Sequence, residues 1–486
     1  MKRLLTAAQM RAVERNAEKL GVAGSALMNS AGFSLAAHAV QYASPTGRFC
    51  VMCGSGNNGG DGRVAAEILK GWNREVWVDE KGARVLSSAV LQRGDLVIDA
   101  LLGTGLNRAP TGEYADRIRQ LMVWKTQGAF ILSADLPSGI HPDTGRKFSP
   151  SVVADACIAF GSLKVSHAVQ PGKSSSGDIQ LDPIGIPPAA EEGLPGLSVF
   201  ELEEEDIRRH LRRRDVNTHK GSFGHVLVIA GSVGKSGAAA LASIAALRSG
   251  AGRVTVGSRS DCIESITAHA PELMGHALGS KGAWNESDVA TMLEAAQGKQ
   301  SVIVGPGIAR GEGTAECLFS FFRQLTVPGV LDADGLNAVA DAPEELKQAG
   351  CDLVLTPHPG EAARLLKKTP AEIQGDRVNS ARSLAILTGC IVVLKGAQTV
   401  ISDLTGNAFI NPTGNPGMAT AGTGDVLAGI IAALLALGLE PLHAAQVGVY
   451  AHGLSGDLQS AKFGQMGLVA SDLFRGLGEV WNRWGV

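Results

Sequence analysis

The residues with the clearest chemical potential lie in a loop of small side chains, residues 415–425, which leads directly into an apolar helical stretch over 426–437. The loop leaves its backbone amides uncovered, and a helix N-terminus carries about half a positive charge, so an anion site is predicted here. Asp425 lies at the first helical turn, where we expect the helix dipole to favour its charged form. A carboxylate beside a phosphate site can take the proton of a hydroxyl group that receives a phosphoryl group. A plain helix cap is the alternative role.

Polar and acidic residues also follow three predicted buried strands in the first half of the chain, over 48–53, 95–99 and 129–134. The carboxyl ends of parallel strands meet at one edge of a sheet. The residues expected to face one another there are Asn57, Asn58, Asp61, Asp99 and Asp135. Any one of these acids could instead cap a helix or form a turn.

The first of these loops formally matches a dinucleotide fingerprint, with Gly54, Gly56 and Gly59 followed by Asp79 at a suitable distance. A dehydrogenase is therefore an open alternative. Asp61 argues against it, because a carboxylate in the loop would repel a pyrophosphate. The loop suits a nicotinamide- or ribose-like polar group better, or a cation held by asparagine oxygens.

The second half repeats short apolar runs that alternate with helical stretches, which predicts a second doubly wound α/β domain. Residues 182–196 are rich in Pro and Gly and are expected to join the domains. Gly-Lys-Ser at 234–236 lacks the P-loop spacing, because residue 229 is Ile. Lys395 follows a predicted strand and is either a phosphate ligand or a surface lysine; His358, between two prolines, is either a site residue or a structural histidine.

The composition restricts the classes of protein that fit the sequence. A chain of 486 residues is too long for one compact core, and its net charge of −3 argues against nucleic-acid binding. Seven scattered cysteines, no signal-peptide pattern and no apolar stretch of spanning length predict a cytoplasmic protein without membrane contact. The C-x-x-C of Cys50 and Cys53 lacks a second pair, so a metal or redox role carries little weight.

Over nearly the whole chain these motifs resemble those of the bifunctional NAD(P)H-hydrate repair enzymes, in which a hydrate epimerase is fused to an ADP-dependent dehydratase. In the first half the resemblance is carried by residues 57–61, 103–107 and 135–139. It implies potassium ligands at Asn58, Asp99 and Ser138 and proton transfer by Asp135. The implied hydrate-binding residues are Asn57, Asn58, Gly59, Gly60, Asp61, Gly103, Thr104, Gly105, Leu106, Asn107, Arg108, Tyr114 and Asp135. One departure is Asn29, where the family pattern has an acid after the methionine.

In the second half the resemblance is to ribokinase-like dehydratases, through residues 305–307, 356–361, 395–399 and 421–425. It implies that Asp425 is the catalytic base and that Mg²⁺ assists. The implied hydrate-binding residues are Ala238, Gly307, His358 and Asp425, and the implied ADP-binding residues are Lys395, Gly396, Ala397, Gln398, Thr399 and Gly424.

The expected fold class is α/β with two domains: a Rossmann-like three-layer α/β/α epimerase domain over 1–205 and a ribokinase-like α/β dehydratase domain over 206–486. The expected partners are small molecules, namely the hydrates NADHX and NADPHX together with ADP, and we expect a homo-oligomer. Two further alternative functions are open besides the dehydrogenase. A ribokinase-like kinase of a small alcohol or vitamin precursor would release a stable phosphorylated product, and a nucleotide-sensing protein would bind without turnover.

Overall fold

The computed structural model describes residues 1–80, 91 and 93–486, and the described chain divides into two compact units. The first unit comprises Arg3–Val199, and the second comprises Phe200–Val486 together with Met1–Lys2. Parallel strands alternate with helices in both, which confirms the predicted α/β fold class.

A short strand, β1 (Lys2–Leu4), opens the chain. The first unit then has the strands β2 (Phe49–Cys53), β3 (Val76–Asp79), β4 (Leu96–Ala100), β5 (Phe130–Ala134), β6 (Ala156–Phe160) and β7 (Asp178–Asp182). Its helices are α1 (Ala7–Lys19), α2 (Gly24–Tyr42), α3 (Asn57–Gly71), α4 (Gly112–Thr126) and α5 (Gly172–Ser176). The sheet has the order β3-β2-β4-β5-β6-β7, and its paired strands are parallel.

Helices cover both faces of this sheet because the side chains of its central strands β2, β4 and β6 are buried at every position. Phe49 and Val51 of β2 pack in one core cluster with Leu69 of α3. Met52, which points to the opposite face, packs with Leu121 of α4. This three-layer arrangement places the loops after β2, β4 and β5 at the same edge.

Helix α1 begins with a capping box formed by Thr6 and Gln9. Among the described residues no single helix is long and apolar enough to cross a membrane. Only α1 and α2 taken together pass by length and composition, and this pair is bent by 117°.

In the second unit the strands are β8 (Val199–Glu201, at the boundary), β9 (His225–Ile229), β10 (Arg253–Ser258), β11 (Met274–Ala277), β12 (Ser301–Val304), β13 (Gly329–Leu331), β14 (Leu353–Leu355), β15 (Ile391–Leu394), β16 (Val400–Ser402) and β17 (Ala408–Ile410). The helices are α6 (Glu204–Arg208), α7 (Ser236–Arg248), α8 (Ser260–Thr267), α9 (Val289–Ala296), α10 (Thr314–Gln324), α11 (Asp334–Ala338), α12 (Pro359–Leu365), α13 (Pro370–Gly375), α14 (Arg377–Thr388), α15 (Thr423–Ala436), α16 (Pro441–Phe463) and α17 (Leu473–Trp484).

The order β17-β16-β15-β14-β13-β12-β9-β10-β11 makes a sheet that is parallel from β15 to β11 and closes with the antiparallel strands β16 and β17. Helix α15 is buried from Val426 to Ala436, as expected for a core helix. It lies so close to α7 that a Cβ at Gly429 would overlap the Ala242 carbonyl oxygen. Small residues at this contact fix the position of the α15 N-terminus over the sheet.

Candidate active sites

The first unit contains a cavity of about 890 Å³ at the carboxyl edge of its sheet. The residues predicted from the sequence that line it are Asn57, Asn58, Asp61, Gly103, Thr104, Gly105, Leu106, Asn107, Arg108, Tyr114 and Asp135. Glu14 and Lys164, which the sequence did not single out as site residues, line it as well. The cavity therefore brings the polar loops of three strand ends together.

Gly59 and Gly60, also predicted to bind the hydrate, are not among the lining residues and are buried. A Cβ at Gly59 would overlap the carbonyl oxygen of Gly54, and a Cβ at Gly60 would lie 2.7 Å from the methyl carbon of Met28. Both glycines thus allow α3 to start tightly against its preceding loop and against α2. Asn57 and Asn58, at the start of α3, line the cavity.

Asp135 is fixed by an ion pair with the buried ammonium group of Lys164. The Phe160 amide donates to the same carboxylate over 3.0 Å, and the Lys164 ammonium group also donates to the Phe160 carbonyl oxygen over 2.7 Å. Asp135 has a φ of 61°, a conformation that aspartate adopts more readily than most residues. Its carbonyl oxygen lies 2.9 Å from Nε2 of His167, a ring that burial keeps neutral by lowering its pKa to about 4. Lys164 is therefore the charged partner of Asp135.

Asp61 is the second acid of the cavity. Burial, followed by the charges of Asp135 and Glu14, raises the pKa of Asp61 to about 8. The pKa of Glu14 is also raised, chiefly by burial. A protonated Asp61 can donate a hydrogen bond to a polar ligand, which a carboxylate cannot.

The residues predicted to bind potassium converge beside this cavity. The Ser138 hydroxyl donates to the Asp99 carboxylate over 2.6 Å, and the Asn58 amide donates to the carbonyl oxygen of Leu102 over 3.1 Å. Ser138 also lies 3.3 Å from that carbonyl oxygen. Burial raises the pKa of Asp99, which has no cationic side chain paired with it among the described residues. A buried carboxylate amid amide, hydroxyl and carbonyl oxygens fits a hard monovalent cation.

Two sequence alternatives lose their support in this unit. Asp79 forms an ion pair with Arg117 over 3.2 Å and is buried, so it is not free for a ribose. Cys50 and Cys53 are buried free thiols, and burial raises the pKa of Cys53 to about 11, which disfavours a reactive thiolate. Within residues 1–80, 91 and 93–486, no group of three or more His, Cys, Asp or Glu side chains is placed to hold a metal ion.

The other predicted residues lie in the second unit, around the N-terminus of α15. The helix begins at Thr423 after Gly422, whose φ is 91°, so Asp425 is its third residue. The Thr423 hydroxyl donates to the carbonyl oxygens of Met418 and Thr420 over 3.1 Å each, which holds the loop against the helix. The result is an open helix terminus, as the small residues predicted.

Burial, followed by the nearby Asp332 carboxylate, raises the pKa of Asp425 from its ordinary 3.8 to about 7. Lys395 opposes this rise without reversing it. The net pKa shift is therefore opposite to the one expected from the helix dipole alone, because desolvation outweighs the roughly 0.3–1 kcal/mol available from a helix terminus. Asp425 is half-buried, and its carboxylate forms no hydrogen bond or ion pair within the described part of the chain.

Lys395 is not a surface lysine. Its ammonium group lies 2.6 Å from Asp332 and 4.0 Å from Glu361. Burial acts to lower the pKa of Lys395, but these two carboxylates outweigh it, so the pKa is raised. A Cβ at Gly424 would lie 3.2 Å from the ammonium nitrogen, which shows how closely the lysine approaches the α15 terminus. The Oδ2 atom of Asp332 is buried without a hydrogen-bond partner among the described residues.

His358 caps helix α12. Its Nδ1 accepts hydrogen bonds from the amides of Gly360 (2.9 Å) and Glu361 (3.3 Å), while the Glu361 carboxylate accepts one from the His358 amide over 2.7 Å. Burial lowers the pKa of His358. His358 therefore has the structural role of a helix cap. Its ring is half-exposed, and Nε2 lies 3.4 Å from the Glu361 carboxylate.

The loop over 395–399 contains backbone conformations that residues with a side chain rarely adopt. Gly396 has a φ of 139° and Gln398 a φ of 51°. The buried guanidinium group of Arg377 supports it by donating to the carbonyl oxygens of Leu394 (3.0 Å) and Lys395 (3.2 Å). The buried Oε1 of Gln398 has no partner among the described residues. Strained backbone and an unsatisfied polar atom together fit a loop that is completed by a polar ligand.

Gly307, which follows β12, and Ala238, in the first turn of α7, lie beside each other. A Cβ at Gly307, whose φ is 67°, would lie 3.4 Å from the Cβ of Ala238 and 3.0 Å from that of Lys235. Ser232 donates to the Gly307 carbonyl oxygen over 2.7 Å. The two residues form a small-residue wall against which a flat ring can lie.

Sequence reasoning missed the partners of the predicted residues, namely Lys164, Glu14, Asp332 and Glu361. Asp332 carried a usable signal, because it directly follows strand β13, as Asp135 follows β5. Lys164 carried only a weak signal, a single lysine between Leu163 and Val165.

Comparison with known proteins matches residues 226–478 to a family described as NAD(P)H-hydrate dehydratase, and residues 24–89 and 78–166 to one described as YjeF-related protein N-terminus. The bifunctional NAD(P)H-hydrate repair enzyme Nnr of Moorella thermoacetica is 38% identical over 97% of this chain and 95% of its own.

Two solved structures resemble the second unit. The ADP/ATP-dependent NAD(P)H-hydrate dehydratase of Bacillus subtilis, co-crystallised with ATP/Mg²⁺, has a TM-score of 0.52 and 32% identity, covering 59% of this chain and 99% of its own. A ribokinase-like superfamily protein of Enterococcus faecalis has a TM-score of 0.50 and 25% identity, covering 59% of this chain and 96% of its own. These matches agree with the ribokinase-like class predicted for the second half. The chain belongs to the family of bifunctional NAD(P)H-hydrate repair enzymes.

Proposed function

We propose that this chain repairs NADHX and NADPHX with two separate catalytic sites. Residues 1–205 interconvert the R and S hydrates, and residues 206–486 convert the S hydrate and ADP into NAD(P)H, AMP and phosphate. The observation that carries the second activity is the half-buried, unpaired Asp425 at an open helix N-terminus beside the Lys395–Asp332 pair.

The chemistry of the hydrate explains the need for a phosphoryl donor. Its hydroxyl group lies on the carbon next to the ring nitrogen, and hydroxide is a poor leaving group. Asp425 takes the hydroxyl proton as the oxygen receives a phosphoryl group from ADP, with the amides of residues 422–424 facing the transferred charge. The nitrogen lone pair then expels phosphate, and loss of a proton from the neighbouring ring carbon restores the nicotinamide.

The substrate assignments follow the two sides of the site. The hydrate lies against Ala238, Gly307, His358 and Asp425, and ADP lies along residues 395–399 and Gly424. The free Oδ2 of Asp332 suits a Mg²⁺ ion held mainly by nucleotide oxygens and water, and such an ion would neutralise phosphate charge. The Bacillus subtilis relative co-crystallised with ATP/Mg²⁺ supports binding of an adenine nucleotide and of Mg²⁺.

In the first unit Asp135 transfers the proton in epimerisation, with Lys164 holding its carboxylate in place. Residues 57–61, residues 103–108 and Tyr114 bind the hydrate. Potassium would be held by Asn58, Asp99 and Ser138, where it would balance the buried Asp99 charge and stabilise the loop after β4. The seven free cysteines of the chain support a reducing, cytoplasmic location. A homo-oligomer is part of the proposal, and light scattering tests it.

The direct test follows the absorbance of reduced nicotinamide from a mixture of hydrate epimers supplied with ADP or ATP. Asp425→Asn should abolish dehydration and leave epimerisation intact, and Asp135→Asn should do the converse. Equal loss of both activities in either variant would contradict two independent sites. The kinase alternative is not favoured by the comparisons. It predicts a stable phosphorylated alcohol instead of free phosphate and regained absorbance.

A further inference from the structure

We infer that Lys235 and Arg310 form a subsite that binds the phosphate groups of the hydrated dinucleotide at the dehydratase site. The inference rests on the proposed function, because it assigns the anionic part of the same substrate. A hydrated dinucleotide carries a pyrophosphate, and NADPHX carries a further 2′-phosphate, so cations beyond those that hold ADP would favour its binding.

Both cations converge on one carboxylate. The Lys235 ammonium nitrogen lies 2.9 Å from Oδ2 of Asp334, and Nε of Arg310 lies 3.0 Å from Oδ1. The two cationic side chains are 54% and 48% exposed, whereas that of Asp334 is only 15% exposed. Two cations share one carboxylate, so one positive charge is in excess, and several N–H donors stay free to face a ligand.

Lys235 and Arg310 lie near the residues assigned to the hydrate. The Cβ of Lys235 lies 3.0 Å from the position that a Cβ on Gly307 would take, next to Ala238. Asp334 is close enough to raise the pKa of Asp425 by its charge. Phosphates bound by Lys235 and Arg310 would therefore extend away from a ring placed against Gly307.

The same turn separates these cations from the nucleotide side. Asp332 pairs with Lys395 and Asp334 pairs with Lys235 and Arg310, with only Ala333 between the two acids. Ala333 has a φ of 50° and a ψ of −118°, a strained conformation for a residue with a Cβ. The two acids of this turn thus hold separate cations: Asp332 holds Lys395 for ADP, and Asp334 holds Lys235 and Arg310 for the hydrate.

The test uses the full chain with Lys235→Met, Arg310→Met and the double variant, and Lys462→Met serves as the matched control. Lys462 of α16 is exposed and pairs with Glu479 of α17. Each subsite variant should raise KM for the hydrate about tenfold, with kcat and KM for ADP within about twofold of the parent. KM for the hydrate should also depend less on ionic strength in the double variant than in the parent.

Three hydrates separate the phosphate sources: hydrated NADH, hydrated NADPH and hydrated nicotinamide mononucleotide. A raised KM for both dinucleotide hydrates supports pyrophosphate recognition, and a raised KM for hydrated NADPH alone supports recognition of the 2′-phosphate. An unchanged KM for every hydrate in the double variant, or a rise in the KM for ADP instead, overturns the inference. Failure of the parent chain to regenerate reduced nicotinamide would refute the proposed function itself.

Discussion

Replacing Asp425 by Asn is expected to stabilise the second unit at pH 8 while it removes dehydration. In the folded chain burial and the charge of Asp332 raise the pKa of Asp425 to about 7, whereas the unfolded chain keeps the ordinary value of 3.8. The folded state therefore holds the proton more tightly, so the free energy of unfolding falls as the pH rises from about 4 to about 7. Asn has the shape of the protonated acid and does not ionise, so the variant escapes this loss.

The size of the effect follows from the two pKa values of Asp425. At about 1.36 kcal/mol per pKa unit, the ionisation of Asp425 costs about 4 kcal/mol of stability at pH 8. At pH 5 the folded chain keeps the proton and the cost is about 1.5 kcal/mol. The advantage of the Asn variant should therefore grow by about 2–3 kcal/mol between these pH values.

Scanning calorimetry of the full chain without nucleotide measures this difference, with parent and variant compared at pH 5, 6.5 and 8. Asp341→Asn is the matched control, because it makes the same chemical change at a side chain that is exposed in the same unit. Equal stability of the parent chain and the Asp425→Asn variant at pH 8 would refute the reasoning, since it would mean that burial does not penalise this carboxylate.

Three other outcomes are expected. Because Asp425 must be ionised to act as a base, dehydration by the parent should rise about tenfold between pH 6 and pH 8 when kcat is measured, and a flat profile would argue against this base. Lys164→Met leaves the Asp135 carboxylate buried without its cation, so denaturation should show a loss of about 3–5 kcal/mol and epimerisation should stop. Gly59→Ala should cost about 1–3 kcal/mol, because its Cβ would overlap a backbone carbonyl oxygen, whereas Gly105→Ala meets open space and should melt like the parent.

Much of the architecture was predictable because strand and loop signals in this chain agree with each other. The apolar strand over Phe49–Cys53 is followed by glycines that tolerate close backbone contact, and the structure uses Gly54 and Gly59 in this way. Parallel strands then bring the loops after β2, β4 and β5 to one edge, which is why Asp61 and Asp135 were expected to share a cavity.

Charge pairing was not predictable from the same signals, because it depends on contacts between residues far apart in sequence. Asp135 and Lys164 are separated by 29 positions and Lys395 and Asp332 by 63, and no local pattern specifies either pair. The direction of the pKa shift of Asp425 was not predictable for a related reason. A helix terminus can be recognised in the sequence, but the desolvation that opposes it depends on how deeply the finished fold buries the side chain.

The two units hold their central acids in opposite ways, and the difference matches the two reactions. Asp135 is engaged by Lys164 and by the Phe160 amide, which fixes its carboxylate in one position relative to the cavity. Asp425 has no such partner among the described residues, because Lys395 lies 2.6 Å from Asp332 instead. A cation paired directly with Asp425 would stabilise its charge and weaken it as a base, whereas a cation on the neighbouring carboxylate can still face incoming phosphate. The placement of Lys395 one carboxylate away is therefore what allows the same few residues to attract an anion and to accept a proton.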